Sequence, residues 1–390
     1  MNWDDKISKN VQAIKPSGIR KFFDIANQIP GVLSLSIGEP DFAAPDKVCE
    51  AMKASIDARQ TSYTANSGLI ELRQEIAKLF HDRYGVDYDP VDEIMVTVGA
   101  SEGLTMALLA LTEPGDEVII PDPAYVAYPA AVKAAGGVPV FVPTYAKDDF
   151  KVTAEALEQV VTPKTKALVM GYPNNPTGTV MTREELLPIA EFVKKHDLVV
   201  MSDEIYCELV YGDTKFTSFA NLPDMRERTI VLNGFSKAYA MTGMRLGYVC
   251  APRDGLANIL KLHQYMIMCA NTQAQYGGIT ALRDCAADVE SMRQEYDARR
   301  KVIYKGLVDM GLPVFEPKGA FYIFPDISCT GMNSEEFCEK LVKEEKVAVV
   351  PGTAFGACGE NHVRISYAAS METIKEALKR MARFVEKYRK

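Results

Sequence analysis

Lys237 is the residue of this sequence with the clearest potential for covalent chemistry. It follows a short apolar run at Thr229–Leu232 through NGFSK (233–237), and Arg245 stands eight residues further on. A free lysine ammonium has a pKa of about 10.4 and does not attack a carbonyl at neutral pH. Desolvation or a neighbouring cation lowers this pKa, which is how lysines that form Schiff bases are activated. Its place after a predicted buried strand therefore separates Lys237 from lysines that are solvated surface charges.

An anion site is predicted where a second apolar run, Glu93–Val98, meets a helix. The run continues into GASEG (99–103), in which Gly99 permits a tight turn and Ser101 is expected to be the helix N-cap. Free amides and the helix dipole at such a start favour an anion such as phosphate. A capped helix start without a ligand is the alternative, and taken alone this segment favours that alternative.

Two further apolar runs end in polar residues. Ala167–Met170 leads into YPNNPTG (172–178), whose two prolines and glycine would hold the Asn175 amide in one conformation. The segment is either part of a site or a stiff surface turn. Leu198–Ser202 ends in Asp203, with Tyr206 three residues later. A carboxylate at this place is either a helix cap or the partner of a buried cation.

These residues converge on one cofactor. The carboxyl ends of neighbouring parallel strands meet at one edge of a sheet, and ligands of such sheets bind there. Pyridoxal phosphate (PLP) requires donors for its phosphate, a carboxylate for its pyridinium nitrogen, hydrogen bonds to its 3-oxygen and an amine for its aldehyde. Ser101 and Arg245 are the candidates for the phosphate, and Asp203 is the candidate for the pyridinium nitrogen. Asn175 and Tyr206 are the candidates for the 3-oxygen, and Lys237 is the candidate for the aldehyde.

The elements around these residues predict an α/β fold. Between about residues 90 and 250, short apolar runs alternate with amphipathic stretches such as Ser101–Leu111 and Arg183–His196. This alternation predicts a largely parallel sheet covered by helices on both faces. Besides the four runs already named, the predicted strands include Glu117–Ile120 and Leu246–Cys250.

A smaller α+β domain is predicted towards the C-terminus. A long charged helix, Val289–Leu307, precedes short strands at Ala320–Phe324, Val347–Val350 and His362–Tyr367. Strands clustered with helices around them are typical of α+β structure. We expect a large domain over residues 46–284, and a small domain formed by residues 1–45 together with 285–390.

Length and composition limit the class of protein. The chain has 390 residues, of which 47% are apolar, and a formal net charge of −8. Two domains with buried cores are therefore expected, and the lack of a basic stripe argues against nucleic-acid binding. The eight cysteines form no C-x-x-C pair and the four histidines form no H-E-x-x-H pattern. We accordingly expect no metal site, no signal peptide and no membrane span, and a cytoplasmic protein with reduced thiols.

The sequence resembles the class I and II, fold-type I aminotransferases, in the branch of the bacterial aspartate and aromatic aminotransferases. The resemblance extends from SIGEPDF (36–42) to RISY (364–367). Its motifs are NNPTG (174–178), SDEIY (202–206), and SK (236–237) followed by RLGY (245–248). It implies a large domain with a mostly parallel seven-stranded sheet covered by helices, plus a smaller α+β domain. It also implies PLP-dependent transfer of an amino group between an L-amino acid and a 2-oxo acid.

The resemblance implies a role for each cofactor residue. Lys237 is similar to the Schiff-base lysine, and Asp203 to the carboxylate that pairs with the pyridinium nitrogen. Asn175 and Tyr206 match the residues that hydrogen-bond the 3-oxygen, and Tyr125 matches the aromatic that stacks on the ring. The residues implied around the phosphate are Ala100, Ser101, Glu102, Ser236 and Arg245.

On the substrate side, Arg364 matches the arginine that grips the α-carboxylate as a bidentate fork, helped by the backbone at Gly38 and by Asn175. Tyr63 matches the tyrosine that reaches the phosphate of the neighbouring subunit. The resemblance therefore implies a homodimer with shared active sites.

One departure concerns the substrate side chain. In strict aspartate enzymes of this branch, a lysine that helps to hold the second carboxylate often stands where this chain has Ser101. Lys15 or Arg20 could take over that task. Selectivity is expected to depend on segments near Ile14–Arg20, Ser101, Tyr322 and Thr353–Phe355.

The implied mechanism is ping-pong. The amino acid displaces Lys237 from the cofactor, and the freed amine moves the Cα proton to the C4′ carbon. A 2-oxo acid leaves before a second one is aminated, with 2-oxoglutarate and glutamate expected as one pair. The alternative is a C–S lyase, another β-elimination enzyme or a cyclopropane-forming synthase on the same scaffold. A PLP-binding transcriptional regulator is disfavoured, because about 35 residues precede SIGEPDF (36–42) and leave no room for a DNA-binding domain.

Overall fold

The centre of the fold is a seven-stranded sheet. The computed structural model describes residues 1–16, 18–19 and 29–390. The strands of this sheet are β2 Ile94–Thr97, β3 Glu117–Asp122, β4 Val138–Pro143, β5 Thr165–Gly171, β6 Val199–Asp203, β7 Thr229–Gly234 and β8 Gly247–Cys250. They lie in the order β2-β8-β7-β6-β5-β3-β4, and β8 is antiparallel to both of its neighbours while the other adjacent pairs are parallel. The expected mostly parallel sheet of seven strands is confirmed.

Helices precede, separate and follow the strands. They are α1 Lys9–Gln12, α2 Asp46–Asp57, α3 Ile70–Leu79, α4 Ala100–Leu111, α5 Ala127–Ala134, α6 Ala154–Glu158, α7 Arg183–Lys195, α8 Arg253–Met266, α9 Thr272–Asp284, α10 Ala286–Asp309, α11 Ser334–Glu345 and α12 Met371–Tyr388. A π-helical turn, Phe80–Tyr84, extends α3. The start of α7 is fixed by a capping box, in which Thr182 and Glu185 each accept a hydrogen bond from the other's backbone amide.

The apolar runs form strands because both faces of the sheet are covered. In β3, Val118 and Ile120 belong to a core shared with α4 and α8. Ile119, which lies between them, belongs to another core shared with α7. Successive side chains of a strand point to opposite faces, so a strand covered on both sides requires a continuous apolar run.

The C-terminal part forms two smaller sheets. β9 Tyr322–Ile323, β11 Val350–Pro351 and β12 Val363–Ser366 form an antiparallel sheet in the order β11-β12-β9, and β1 Leu33–Ser34 pairs with β10 Val347–Ala348 in parallel. The predicted single strand at 347–350 is therefore two strands, because the chain changes its partner at Val349.

One core joins these small sheets to the C-terminal helices. It includes Ile303 of α10, Phe337 of α11 and Phe384 of α12, together with Ile365 of β12 and Leu35 from the N-terminal part. The same core also includes Tyr206 and Tyr211, and the division into residues 46–284 and residues 1–45 with 285–390 stays a prediction.

Membrane spans and metal clusters are features of other protein classes, and the described residues bear on both. Of the helices in those ranges, none is long and apolar enough to cross a membrane. No group of three or more His, Cys, Asp or Glu residues within the same ranges is placed to hold a metal ion. All eight cysteines carry free thiols.

Gly178 offers a test of the packing between the NNPTG loop and the C-terminal part. Its φ is +77°, and an added Cβ would lie 2.5 Å from the Cβ of Pro317 and 2.6 Å from the carbonyl oxygen of Tyr322. We expect Gly178→Ala to destabilise the protein by about 1–3 kcal/mol, visible as a lower urea midpoint. Gly255→Ala is the control, because that glycine lies in α8 with nothing within 4 Å of its added Cβ. There we expect a small gain of about 0.5–1 kcal/mol. Equal midpoints for the two variants would contradict this account.

Candidate active site

A cavity of about 330 Å³ lies at the carboxyl edge of the large sheet. This is within the range of small-molecule sites. The predicted site residues along its wall are Gly38, Ala100, Ser101, Tyr125, Asn175, Asp203, Tyr206, Ser236, Lys237, Arg245 and Arg364. Residues that are far apart in the chain thus meet where parallel strands end, as expected for this kind of sheet.

Lys237 is held inside this cavity. Its Nζ atom donates a hydrogen bond of 2.6 Å to the carbonyl oxygen of Gly38. Burial lowers the pKa of Lys237 to about 8; the guanidinium groups of Arg364 and Arg245 act in the same direction, and Glu39 opposes them. A substantial fraction of this amine is therefore neutral near pH 8, which is the form that attacks a carbonyl.

Asp203 ends β6 at the base of the cavity. Its Oδ2 atom accepts a 2.8 Å hydrogen bond from the hydroxyl of Tyr128, and Oδ1 accepts one of 3.2 Å from the amide of Ile205. Burial raises the pKa of Asp203, while these hydrogen bonds and Lys237 lower it. A turn follows the strand here, so Asp203 caps no helix.

Tyr128 is a site residue that the sequence did not single out. It lies three residues after Tyr125, and the two rings meet edge to face with centroids 5.6 Å apart. A Cβ at Gly171 would lie 2.3 Å from the Tyr128 hydroxyl, so the glycine leaves room for its bond to Asp203. The only sequence signal was this spacing, which places both tyrosines near the start of one helix.

Arg245 reaches the cavity because β8 runs antiparallel to its neighbours. The residue before an antiparallel strand lies at the same edge as the residue after a parallel one. Its NH1 group donates to the carbonyl oxygen of Thr242 at 2.9 Å. An added Cβ at Gly99 would lie 2.6 Å from its NH2 group, so the guanidinium lies directly beside the start of α4.

The start of α4 differs in detail from the sequence prediction. The N-cap is Gly99 with φ +76°, not Ser101, because the glycine turns the chain so that the helix begins at Ala100. Glu102 uses its carboxylate inside the protein: it accepts hydrogen bonds from the amide of Val98 at 2.5 Å and from the buried His263 ring at 2.7 Å. Ser101 remains exposed on the first turn.

Arg364 lies at the other end of the cavity and is 2% exposed. Its NH1 group donates to Oδ1 of Asn175 at 3.0 Å, and its NH2 group donates to the carbonyl oxygen of Ser36 at 2.6 Å. The guanidinium carbon lies 4.5 Å from the ring centroid of Tyr322 and 4.8 Å from that of Phe355. Burial lowers the pKa of Arg364, and no neighbouring carboxylate is among the groups that raise it.

Tyr206 and Tyr322 share a hydrogen bond between their hydroxyl groups, 2.8 Å apart. Both rings are buried and both line the cavity. Since each hydroxyl can donate one proton, this contact leaves one of the pair free to donate a second bond into the cavity.

Two predicted residues, Tyr63 and Lys15, lie away from the cavity wall. Tyr63 is 79% exposed on the surface. Lys15 is exposed as well, and Arg20 lies outside the described residues.

The groups present fit PLP. One end of the cavity offers a helix start beside a guanidinium, which suits a phosphate. The base of the cavity offers the buried carboxylate of Asp203. Its wall offers the amide of Asn175 and the paired hydroxyls of Tyr206 and Tyr322, and its side offers the amine of Lys237, whose pKa is lowered. Gly99 and Gly171 keep clear two places that a side chain would fill.

Comparison with known proteins identifies the family. The model of the class I and II aminotransferases matches residues 30–381. A putative aminotransferase of Bacillus subtilis is 52% identical over 381 residues, which cover 98% of both chains. An aspartate aminotransferase of Pyrococcus abyssi is 49% identical over 96% of this chain and 97% of its own. The solved aromatic aminotransferase from Pyrococcus horikoshii is 48% identical, with a TM-score of 0.90 over 94% of this chain and 99% of that one.

The chain belongs to the class I and II aminotransferase family. Its fold is fold type I, and it is an aminotransferase that uses PLP to transfer amino groups. The fold, the cofactor and the reaction class expected from the sequence are thereby confirmed.

The lowered pKa of Lys237 can be measured directly. In protein freed of cofactor, we expect the amine of Lys237 to react with acetic anhydride with an apparent pKa of about 8. An unperturbed lysine titrates near about 10.4. Competitive labelling followed by peptide mass spectrometry would report the two kinds of lysine in one experiment. Labelling of Lys237 that follows the curve of the exposed lysines would contradict the effect of burial.

Proposed function

We propose that Lys237 bonds the aldehyde of PLP and also carries the substrate Cα proton, in a ping-pong transfer with glutamate and 2-oxoglutarate as one pair. The observation that carries this proposal is a lysine amine with a pKa of about 8 in a cavity that also holds Asp203 and two guanidinium groups. A neutral amine at this place can both attack a carbonyl and accept a proton.

The other residues proposed to bind PLP hold and orient the cofactor. When bound, PLP supplies an aldehyde for the amino group and a conjugated ring that spreads negative charge when the Cα proton leaves. Asp203 keeps a proton on the ring nitrogen, and Tyr128 fixes the orientation of that carboxylate. Asn175 and Tyr206 donate hydrogen bonds to the 3-oxygen, and the Tyr125 ring packs against the cofactor ring.

The phosphate is held at the start of α4. The backbone at Ala100 and Ser101, the hydroxyl of Ser236 and the guanidinium of Arg245 surround this position. The helix dipole offers only a partial positive charge to the phosphate, and the guanidinium of Arg245 adds a full one. Glu102 contributes by holding the turn through Val98, since its carboxylate is bonded within the protein.

The substrate α-carboxylate is bound by Arg364. Asn175 and Ser36 fix its guanidinium and leave further N–H groups for a bidentate contact with the substrate. Gly38 contributes its backbone. The substrate amino group then lies on the side of Lys237, whose amine bonds the Gly38 carbonyl.

Replacement of Lys237 tests this proposal. We expect purified protein to show a near-visible absorbance band of lysine-bound cofactor, and Lys237→Ala to lack it when no amine is supplied. The rate of amino transfer falls by on the order of 10³-fold or more, because the proton carrier is lost. Lys53→Ala, on the exposed face of α2, is the control, and it should keep both the absorbance band and the rate of amino transfer.

The ping-pong sequence is tested by supplying an amino donor without a 2-oxo acid acceptor. Wild-type protein given glutamate alone should form one 2-oxoglutarate per active site and then stop. Release of ammonia together with continued turnover would point to elimination instead. Formation of no 2-oxoglutarate would contradict glutamate as one of the pair.

We further propose a cytoplasmic homodimer with shared active sites, in which Tyr63 reaches the phosphate of the partner's cofactor. Tyr63 is 79% exposed, and it lies near a second exposed apolar segment that includes Tyr265 at 88% and Met266 at 57%. The hydroxyl of Thr272 bonds the carbonyl oxygen of Ser62, and the side-chain amide of Asn66 bonds the carbonyl oxygen of Met268, so the chain around Tyr63 is joined to the chain that follows Met266. Exposed apolar side chains on two joined segments are typical of a subunit interface.

Tyr63→Phe tests the shared site. We expect the dimer mass in light scattering to be unchanged and the dissociation constant for PLP to rise by about 3- to 10-fold, since one hydrogen bond to the phosphate is lost. Tyr145→Phe is the control, because Tyr145 is another exposed tyrosine, at 51%. A monomeric wild-type protein, or unchanged cofactor affinity in Tyr63→Phe, would contradict the proposal.

A further inference from the structure

Asp122 is a buried carboxylate close to the cavity that the chemistry described above does not use. It is the last residue of β3 and is 5% exposed. Its Oδ2 atom accepts a hydrogen bond of 3.0 Å from the amide of Ala357, and Oδ1 accepts one of 3.3 Å from the amide of Cys358. A side chain at the edge of the large sheet thus holds the backbone of the loop between β11 and β12.

The backbone also joins the loop to the chain beside this carboxylate. The amide of Ala124 donates a 3.0 Å hydrogen bond to the carbonyl oxygen of Phe355, which adds a third link between the same two segments. Gly356 has φ +142°, and an added Cβ would lie 1.8 Å from Oδ1 of Asp122. The close approach therefore depends on a glycine opposite the carboxylate.

The loop carries a ring that touches the substrate arginine. Phe355 is the residue before Gly356, and its ring centroid lies 4.8 Å from the guanidinium carbon of Arg364. Burial fixes the Phe355 ring, which is 5% exposed. A cation over an aromatic face is attracted to it, so the ring helps to set where the guanidinium lies.

We propose that Asp122 is a positioning residue for the α-carboxylate subsite: through the amides of Ala357 and Cys358 it holds Phe355 against Arg364. This inference rests on the proposed role of Arg364 in binding the substrate carboxylate. Asp122 therefore governs the affinity for both amino acid and 2-oxo acid, and it leaves the affinity for PLP unchanged.

Asp122→Asn preserves shape and places an amide NH₂ against a backbone N–H, so one of the two links is lost. In the PLP-loaded enzyme we expect the KM for glutamate and for 2-oxoglutarate to rise on the order of tenfold, with kcat changed less than about twofold. The dissociation constant for PLP, titrated onto cofactor-free protein, should stay the same. Asp116→Asn is the matched control, because Asp116 accepts a backbone hydrogen bond from Glu113 beside the other end of β3.

A second variant tests the route of the effect. Phe355→Leu should raise the same KM values, and the double variant Asp122→Asn/Phe355→Leu should not exceed Phe355→Leu alone, because both changes remove one contact. Additive effects, or a loss of PLP affinity in Asp122→Asn that matches its KM change, would overturn the proposal. If Asp122→Asn yields no folded enzyme, an unchanged KM in Phe355→Leu overturns it equally.

Arg364→Leu separates this inference from the proposed function. A large rise of KM in Arg364→Leu together with wild-type values in Asp122→Asn would refute the positioning role alone. Wild-type KM in Arg364→Leu would refute the carboxylate subsite itself, on which the positioning role depends.

Discussion

The structure depends on burying several charges in one cavity without neutralising them. A charged group inside a protein is costly unless it is hydrogen-bonded or paired. Lys237 bonds a carbonyl oxygen, Arg364 bonds an amide oxygen and a carbonyl oxygen, and Asp203 accepts from a hydroxyl and a backbone amide. These partners are all uncharged. They satisfy the geometry of each group and leave its charge available, so the cavity retains an excess of positive charge for an anionic cofactor and an anionic substrate.

The topology of the sheet explains how these groups meet. Parallel strands bring the residues after β2, β5, β6 and β7 to one edge. The antiparallel β8 adds Arg245 from the opposite chain direction. The backbone of Arg245 is left-handed, with φ +51°, and the turn before β8 therefore carries local backbone strain. Gly99 then leaves the space that lets this guanidinium lie beside the start of α4. The position proposed for the phosphate thus lies between two strands that run in opposite directions, where one glycine lacks a side chain.

Much of this arrangement could be predicted from the sequence, because the strands follow from short-range patterns of apolar residues. Continuous apolar runs predicted six of the central strands to within two residues at each end, because burial on both faces requires such runs. β4 was not located, since its residues are partly exposed at the sheet edge and include Pro139 and Pro143. The Ser101 cap was wrong because a glycine with positive φ started the helix earlier. A serine two residues after a glycine gives no local signal that distinguishes these two helix starts.

The contacts that complete the site could not be predicted because they join distant segments. The Tyr128–Asp203 bond spans 75 residues, the Tyr206–Tyr322 bond spans 116, and the Ala357–Asp122 bond spans 235. No periodicity or spacing in one sequence encodes which buried hydroxyl will meet which carboxylate. The motifs identify residues that line the cavity, whereas the residues that orient those groups emerge only from the fold.

The cavity is also built from two kinds of structure, and this division has a functional consequence. Its proposed cofactor side comes from residues at the strand ends of the large sheet and from the residues just beyond them. Its substrate side comes from Gly38, Tyr322 and Arg364, on a loop and on two short strands of a separate sheet. Hydrogen bonds such as those between Asn175 and Arg364 and between Tyr206 and Tyr322 join these sides. We therefore expect changes at the strand ends that line the cavity to act first on the cofactor. Changes in the C-terminal loops, and in Asp122, which holds one of these loops, are expected to act first on the substrate. One scaffold can in this way keep its chemistry while its substrate varies.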